Sequence, residues 1–222
     1  MNDEITNINP SDVNFLEELK EGKSASIFKV ILRGRDSVMK VYHRRNRRPW
    51  ENPEREHDVF NREVTSYRRL KQHGLCARRV VPDFYGAVTQ MQLADWHQML
   101  HSFKEDEVPP CAIFIEYIPD LHMIDLTNFS EARLAKFLQI LDEIHNLRIL
   151  HDDTYPRNML VARGNEGQED RVIWIDFDCA WTNLPDDERH RQWFEDEKEL
   201  VQYFAKALVG FEHHFLNISN AL

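Results

Sequence analysis

The sequence predicts an α+β fold, and three patterns in the chain of 222 residues support that class. Two short runs of β-branched and apolar residues, at 26–32 and 37–42, are separated by a turn and predict a pair of strands. Apolar residues recur at helical spacing in residues 56–73 and again in residues 130–146, which predicts two amphipathic helices. A longer apolar run at residues 111–119 predicts a buried strand. The length suffices for one large domain or for two small lobes with a core.

Most of the strands are expected in the first half of the chain. Residues 1–12 are polar and are expected to form a loose lead-in, and residues 15–20 approach a turn at residues 21–23. In the second strand of the pair, alternation places Lys40 on the same face as Val38. The expected helix runs from Glu56 to His73 with Phe60, Val64, Tyr67 and Leu70 on one face, and a strand at residues 79–88 and a poorly periodic insertion at residues 90–104 follow it.

The second half is expected to be richer in helix. Ser130 precedes a clean apolar stripe and is expected to cap a helix that ends near Asn146, within which His145 is expected to be a structural hydrogen-bonding residue. Residues 159–162 and 172–175 predict two strands joined by a polar turn. One or two further helices are expected between Asp186 and Val209, with an apolar face formed by Leu200, Val201, Phe204 and Leu208.

Composition indicates a globular protein, because hydrophobic residues make up 42% of the chain. The net charge of -10 argues against nucleic-acid binding by the whole surface. The three cysteines, Cys76, Cys111 and Cys179, have neither metal-ligand nor disulfide spacing, which suits a reducing compartment. Neither an apolar leader nor an apolar run of bilayer length is visible, so we expect a cytoplasmic or nuclear protein without a membrane partner.

The residues best suited to chemistry lie in a polar loop between two apolar segments, at residues 149–161. Such a loop costs free energy unless its polar groups are used. Asp153 can accept a proton or orient a hydroxyl, His151 is expected to brace the loop, and Asn158 offers a neutral oxygen that can join a carboxylate in holding Mg²⁺. The hairpin that follows the loop would place Asn158 and Asp176 at its two open ends, so the sequence predicts a shared metal site there.

The same residues resemble a known family. The segment His151-Asp152-Asp153-Thr154-Tyr155-Pro156-Arg157-Asn158 resembles the His-Arg-Asp-Leu-Lys-Pro-Glu-Asn segment of the protein kinase-like superfamily, and Asp176-Phe177-Asp178 resembles its Asp-Phe-Gly. The resemblance implies a two-lobed protein kinase-like fold, with a small β-rich N-lobe at residues 1–118 and a truncated, mainly helical C-lobe at residues 119–222. It also implies a transferase that moves the γ-phosphoryl group of ATP, with Mg²⁺, to a hydroxyl acceptor.

The resemblance assigns roles outside the loop as well. Val38-Met39-Lys40 resembles the family's Val-Ala-Ile-Lys strand, whose lysine holds the α- and β-phosphates of ATP. Glu63 would then pair with Lys40, with Glu56 as a competing candidate. The resemblance further implies that the loop at Gly22 covers the phosphates and that the Glu116 carbonyl and the Ile118 N–H bind adenine. It implies that Asp153 binds the acceptor hydroxyl and that Asn158 and Asp176 bind Mg²⁺.

Departures from the family pattern leave two functions open. Asp152 stands in place of the family's arginine, Tyr155 in place of its lysine and Asp178 in place of its glycine, and Gly22 is the one glycine kept of the three in the phosphate-covering loop. Because the four polar residues of the implied mechanism are present, an active phosphotransferase is one function. Because of the departures and the short C-terminal part, a catalytically weak or inactive kinase-like protein that binds a nucleotide or a partner is the other. The acceptor, a protein hydroxyl or a small molecule, stays open.

A third hypothesis concerns the basic loop at residues 43–50, which contains four arginines. Most such runs are solvated surface. The alternative is a contact with an acidic partner, with nuclear import machinery or with nucleic acid.

Overall fold

The computed structural model of the chain describes residues 4–164, 169–182 and 184–219, with side chains as far as residue 207. Within these ranges the protein is a mixed α+β structure with ten strands and three α-helices. The expected α+β class is therefore confirmed.

The chain divides into two compact units. The first comprises Met1–Ala77 and Pro82–Tyr117, and the second comprises Arg78–Val81 and Ile118–Leu222. The short segment Arg78–Val81 thus leaves the first unit and packs with the second.

A five-stranded antiparallel sheet forms the body of the first unit. Alternating side chains of its second and third strands, Phe28, Val30 and Leu32 on one and Met39 and Val41 on the other, are fully buried in one apolar core. The strands are β1 (Val13–Lys20), β2 (Ala25–Leu32), β3 (Arg35–Arg44), β4 (Phe84–Val88) and β5 (Val108–Glu116), in the spatial order β1-β2-β3-β5-β4.

The hairpin between β2 and β3 explains how these two strands are held in register. Leu32 pairs directly with Arg35, so the loop has two residues, Arg33 and Gly34. Both have positive φ, 48° and 81°, which is the conformation that a tight two-residue hairpin loop requires. This register places Lys40 opposite Ile27 in the middle of the pair.

Helix α1 (Val59–Gln72) packs its apolar face into the first unit. The four residues expected on that face are all buried. The helix begins three residues later than expected, because the Asp58 carboxylate accepts the Phe60 N–H at 3.0 Å and so caps the helix. Glu56 consequently precedes the helix, and its carboxylate accepts the Asp58 N–H.

The second unit combines two helices with short strands. Its core surrounds Trp174, whose indole Nε1–H donates to the Phe137 carbonyl at 3.0 Å. Its elements are β6 (Leu121–Met123), α2 (Glu131–Asn146), β7 (Ile149–Leu150), β8 (Met159–Ala162), β9 (Arg171–Trp174), β10 (Trp181–Thr182) and α3 (Glu188–Ser219).

Several expected elements of the second unit are confirmed. The Ser130 hydroxyl accepts the Arg133 N–H at 3.2 Å and caps α2. Strands β8 and β9 form an antiparallel hairpin, in which Met159 pairs with Trp174 and Ala162 with Arg171. The last helix is longer than expected, and Leu208 of its expected apolar face lies outside the residues whose side chains are described.

Three expectations for the first unit need correction. Residues 13–20 form a strand, which the pattern concealed because β1 is an exposed edge strand with two irregularities in its register. The strand expected from residue 79 begins only at Phe84. The Arg79 and Val80 carbonyls accept hydrogen bonds from β9 instead, and Pro82 has no N–H to donate to a neighbouring strand. The insertion at residues 90–104 contains two 3₁₀ helices, Leu93–Asp95 and Gln98–Glu105.

Among the described residues, no helix combines the length and the apolar character needed to cross a membrane.

Candidate active site

The β8–β9 hairpin of the second unit brings together the two residues predicted to hold a metal. Asn158 directly precedes β8, Asp176 follows β9 by two residues, and the Ile175 N–H donates to the Asn158 carbonyl at 3.1 Å. The backbone of Asp176 is left-handed, with φ 66°, a conformation that is costly for a residue other than glycine. The two residues therefore lie at the same end of the hairpin, and a strained backbone sets the direction of the second one.

Asn158 and Asp153 are joined by hydrogen bonds within the loop. Asn158 Nδ2 donates to the Asp153 carboxylate at 2.7 Å and to the Asp153 carbonyl at 2.8 Å. Because Nδ2 is used in these bonds, Oδ1 is the side-chain atom of Asn158 that can coordinate a cation. The Asn158 side chain is buried, so the orientation of its amide is held by packing as well as by these bonds.

The Asp153 carboxylate is the centre of the loop. Its second oxygen accepts a hydrogen bond from Arg157, whose guanidinium also lies 4.6 Å from the centroid of the Tyr155 ring. The Arg157 side chain is 60% exposed while that of Asp153 is 12% exposed. The exposed Arg157 guanidinium can therefore change its position, whereas the Asp153 carboxylate is held in place.

His151 occupies the position of a structural brace. Its side chain is fully buried, and Nε2 contacts the Ile175 carbonyl at 2.9 Å. Its ring packs against those of Trp174 and Phe177, with centroid distances of 5.3 and 4.8 Å. These contacts tie the loop to the strand that leads to Asp176, as the bracing role predicted from the sequence requires.

Glu197, on α3, holds the loop from behind and was not found from the sequence. Its carboxylate accepts the Asp152 N–H at 2.6 Å and the His151 N–H at 3.2 Å, and it contacts His145 Nε2 at 2.6 Å. The Glu197 and His145 side chains are both buried. The expected role of His145 as a structural hydrogen-bonding residue is confirmed, and its partner explains why a carboxylate is buried in this helix.

In the first unit, Lys40 and Glu63 form a buried ion pair. Lys40 Nζ lies 2.6 Å from Glu63 Oε2, and the two side chains are 9% and 1% exposed. The Tyr42 hydroxyl donates to the same carboxylate oxygen at 2.7 Å. Glu63, rather than Glu56, is therefore the partner of Lys40. Buried ionised groups of this kind require partners, and they are more typical of sites than of plain cores.

The other residues predicted to contact ATP are Gly22, Glu116 and Ile118. Gly22 lies in the loop between β1 and β2, where a Cβ atom would come within 2.7 Å of the Ala25 carbonyl oxygen. The Glu116 N–H donates to the Asp83 carbonyl at 2.8 Å, and Glu116 pairs with Ser37 in the sheet. The predicted adenine contact of the Glu116 carbonyl stays a prediction, and Ile118, whose N–H is the other predicted contact, follows the end of β5.

Two of the residues that depart from the family pattern, Asp152 and Tyr155, make contacts within the second unit. Asp152 has a left-handed backbone, with φ 59°, and its carboxylate accepts the Trp181 indole N–H at 3.1 Å. Tyr155 is 41% exposed, and its ring packs against that of Phe204 of α3. Both side chains therefore have structural contacts in the second unit.

Three of the four arginines in the basic loop pair with carboxylates of the same unit, and the fourth donates to a backbone carbonyl. Arg44 pairs with Asp58, Arg45 with Glu51 and Arg48 with Glu107, and the guanidinium of Arg47 donates to the Arg55 carbonyl at 2.5 Å. The hydrogen bond from Arg45 lowers the pKa of Glu51 to about 2, so this carboxylate stays ionised at neutral pH. The loop is therefore a self-paired surface rather than a free basic patch.

Comparison of the chain with models of known protein families and with curated proteins finds no match. The function is accordingly inferred from the chemistry of the site itself. The second unit offers a carboxylate that can orient a hydroxyl and two oxygen donors suited to a hard cation, and the first unit offers a buried lysine held by a glutamate.

Proposed function

We propose that the protein is an ATP- and Mg²⁺-dependent phosphotransferase of the protein kinase-like type that acts on a hydroxyl acceptor. The observation that carries the proposal is the placement of Asn158 and Asp176 at one end of the hairpin, with Asp153 bonded to Asn158. Phosphoryl transfer depends on positioning and charge neutralisation more than on covalent chemistry, and these are the tasks that such side chains perform.

The proposed roles follow from the chemistry of each group. Asp176 and Asn158 Oδ1 would hold Mg²⁺, which when bound supplies charge neutralisation to the phosphate oxygens. Lys40, oriented by Glu63, would bind phosphate, as a paired lysine with its ammonium fixed in place can. Asp153 would accept the hydrogen bond of the acceptor hydroxyl and orient its oxygen for attack. ATP as ligand and three cysteines that form no disulfide bond fit a cytoplasmic location.

Arg157 compensates for one departure from the family pattern. A tyrosine occupies the position of the family's lysine, which would leave negative charge near the acceptor without a counter-ion. The guanidinium of Arg157 contacts the Asp153 carboxylate and is largely exposed. We propose that it supplies the missing positive charge when phosphate is present.

The direct test is calorimetric titration of ATP into the wild-type protein and Asp176→Ala, each with and without Mg²⁺. We expect Mg²⁺ to tighten ATP binding to the wild type and to have no effect on the variant. Asp196→Ala is the matched control, because this aspartate is exposed on α3 and hydrogen-bonds to Gln192. An equal response to Mg²⁺ in the wild type and in Asp176→Ala would remove the proposed metal site.

Turnover separates this proposal from the second candidate, a kinase-like protein that binds nucleotide without transferring phosphate. One observation favours the second candidate: both oxygens of the Asp153 carboxylate already have partners. One accepts a hydrogen bond from Arg157 and the other from Asn158. Mg²⁺-dependent ATP turnover that is lost in Asp153→Asn supports the enzyme. Mg²⁺-dependent ATP binding without turnover, across protein, sugar and amino-alcohol acceptors, supports the binding protein.

A further inference from the structure

The second unit contains a cavity of about 470 Å³ that the proposed phosphotransfer chemistry does not use. All the residues that line it belong to this unit. Ala162 and Arg171, at the turn end of the β8–β9 hairpin, contribute to its wall, whereas Asn158 and Asp176 lie at the other end. The cavity is therefore separate from the candidate metal site, and its volume is in the range of small-ligand pockets.

The charge of the cavity is opposite to that of the whole chain. Five cationic and three acidic side chains line it, in a protein whose net charge is -10. Two of the acidic side chains already have partners: Glu169 pairs with Lys136, and Asp170 pairs with Arg133 and accepts the Gly164 N–H. The wall therefore presents an excess of positive charge in a concave setting, where fields are stronger than on a flat surface.

Two of the arginines in the wall are available to a ligand. The guanidinium groups of Arg79 and Arg163 make neither a hydrogen bond nor a close ion pair with the described residues, and both side chains are exposed. Arg163 is near enough to Asp170 to contribute to the lowering of its pKa, so the charge of Arg163 is partly offset. Arg78, by contrast, is held by Glu143 through two contacts.

The backbone beneath Arg79 is fixed in a strained conformation. Arg79 is left-handed, with φ 61°, which costs free energy for a residue with a Cβ. Arg171 Nε donates to the Arg79 carbonyl at 2.6 Å, and the Trp174 N–H donates to the Val80 carbonyl at 3.1 Å. These bonds anchor the segment Arg78–Val81 to β9 and hold Arg79 at the cavity. Strain that the surroundings maintain in this way is typical of ligand sites.

We propose that this cavity binds a small ligand that carries two or more closely spaced negative charges, such as a di- or triphosphate group or a polycarboxylate. Arg79 and Arg163 contact the anionic groups. Guanidinium groups suit this task because they donate two parallel hydrogen bonds to phosphate or carboxylate oxygens. The cavity is too small for a folded partner and is suited to a ligand of metabolite size.

The test titrates sodium pyrophosphate and, separately, sodium citrate into the full-length protein by calorimetry, at low salt and without Mg²⁺ or ATP. We expect one of the two probes to bind with a stoichiometry of one, and its affinity to fall by about tenfold or more in Arg79→Gln/Arg163→Gln, because two charge-assisted contacts are lost. The probe that binds identifies the ligand as a phosphate or as a carboxylate compound. Arg189→Gln is the matched control, since this arginine stacks on Trp193 of α3 and does not line the cavity.

Two results would overturn the proposal. One is the absence of binding by either probe to the folded wild type. The other is binding that Arg79→Gln/Arg163→Gln and Arg189→Gln weaken equally, which would place the probe elsewhere or leave only general charge attraction. Asp176→Ala is expected to bind the probe like the wild type, so a failure of the phosphotransferase proposal does not affect this outcome. Circular dichroism of each variant confirms that it is folded.

Discussion

Substitution of Glu197 by alanine is expected to destabilise the second unit strongly. The carboxylate accepts the N–H groups of His151 and Asp152 and contacts His145; the contacts to His151 and His145 are buried, and the one to Asp152 is part-buried. Removal of the side chain leaves two backbone N–H groups without their acceptor, at about 1–3 kcal/mol each, so we expect a total loss of about 2–6 kcal/mol. A domain of this size has a free energy of unfolding of only about 5–15 kcal/mol, so the loss is a large part of the whole.

The assay is urea denaturation followed by tryptophan fluorescence, in which the fully buried Trp174 reports on this unit. Glu197→Gln keeps one acceptor oxygen, so we expect it to lose about half as much as Glu197→Ala. Glu195→Ala is the matched control, because Glu195 lies on the same helix and makes an exposed ion pair with Lys198, which is worth less than about 1 kcal/mol. If Glu197→Ala and Glu195→Ala unfold at the same urea concentration, the reasoning about the buried carboxylate is wrong.

Three further predictions concern stability. Lys40→Met leaves the Glu63 carboxylate buried without its cation, so we expect a loss of about 3–5 kcal/mol in urea denaturation, most of it restored in Lys40→Met/Glu63→Gln; an unrestored double variant would contradict this. Gly22→Ala places a Cβ atom 2.7 Å from a carbonyl oxygen, so we expect a loss of about 1–3 kcal/mol by thermal denaturation, and an unchanged midpoint would show that the loop has room. The hydrogen bond from Arg133 holds the pKa of Asp170 below its usual value near 4, so this group stabilises the fold above that pH and the contribution is lost as the pH falls through the lower folded pKa. The urea midpoint should therefore fall less steeply below pH 4 in Asp170→Asn than in the wild type, and parallel curves would refute the assignment.

The local elements of the fold were largely predictable because their signals are local. Ser130 and the apolar stripe after it define α2, and alternation with a turn defines the β8–β9 hairpin. The hairpin in turn predicts that Asn158 and Asp176 share one end, since strand pairing leaves its open ends together. The β1 strand was missed because an exposed edge strand with an irregular register does not show a regular alternation of buried residues.

The pairing of Lys40 with Glu63 illustrates what a resemblance adds to local patterns. The two residues are 23 positions apart, and nothing in the spacing alone favours Glu63 over Glu56. The family's lysine–glutamate pair predicts Glu63, and the 2.6 Å contact confirms the pairing. The role of the pair in binding ATP is a proposal.

By itself, the sequence determined the α+β class, most helices and strands, and the loop that carries His151, Asp153 and Asn158, because each depends on residues close together in the chain. Tertiary structure alone decided that Glu197 supports this loop from 45 residues away and that the basic loop is paired with carboxylates such as Glu107. The same is true of the anchored segment Arg78–Val81, whose carbonyls bond to residues about 90 positions later. Buried polar groups need hydrogen-bond partners. Local sequence patterns do not indicate which distant residue is the partner, because that depends on how the helices and strands pack.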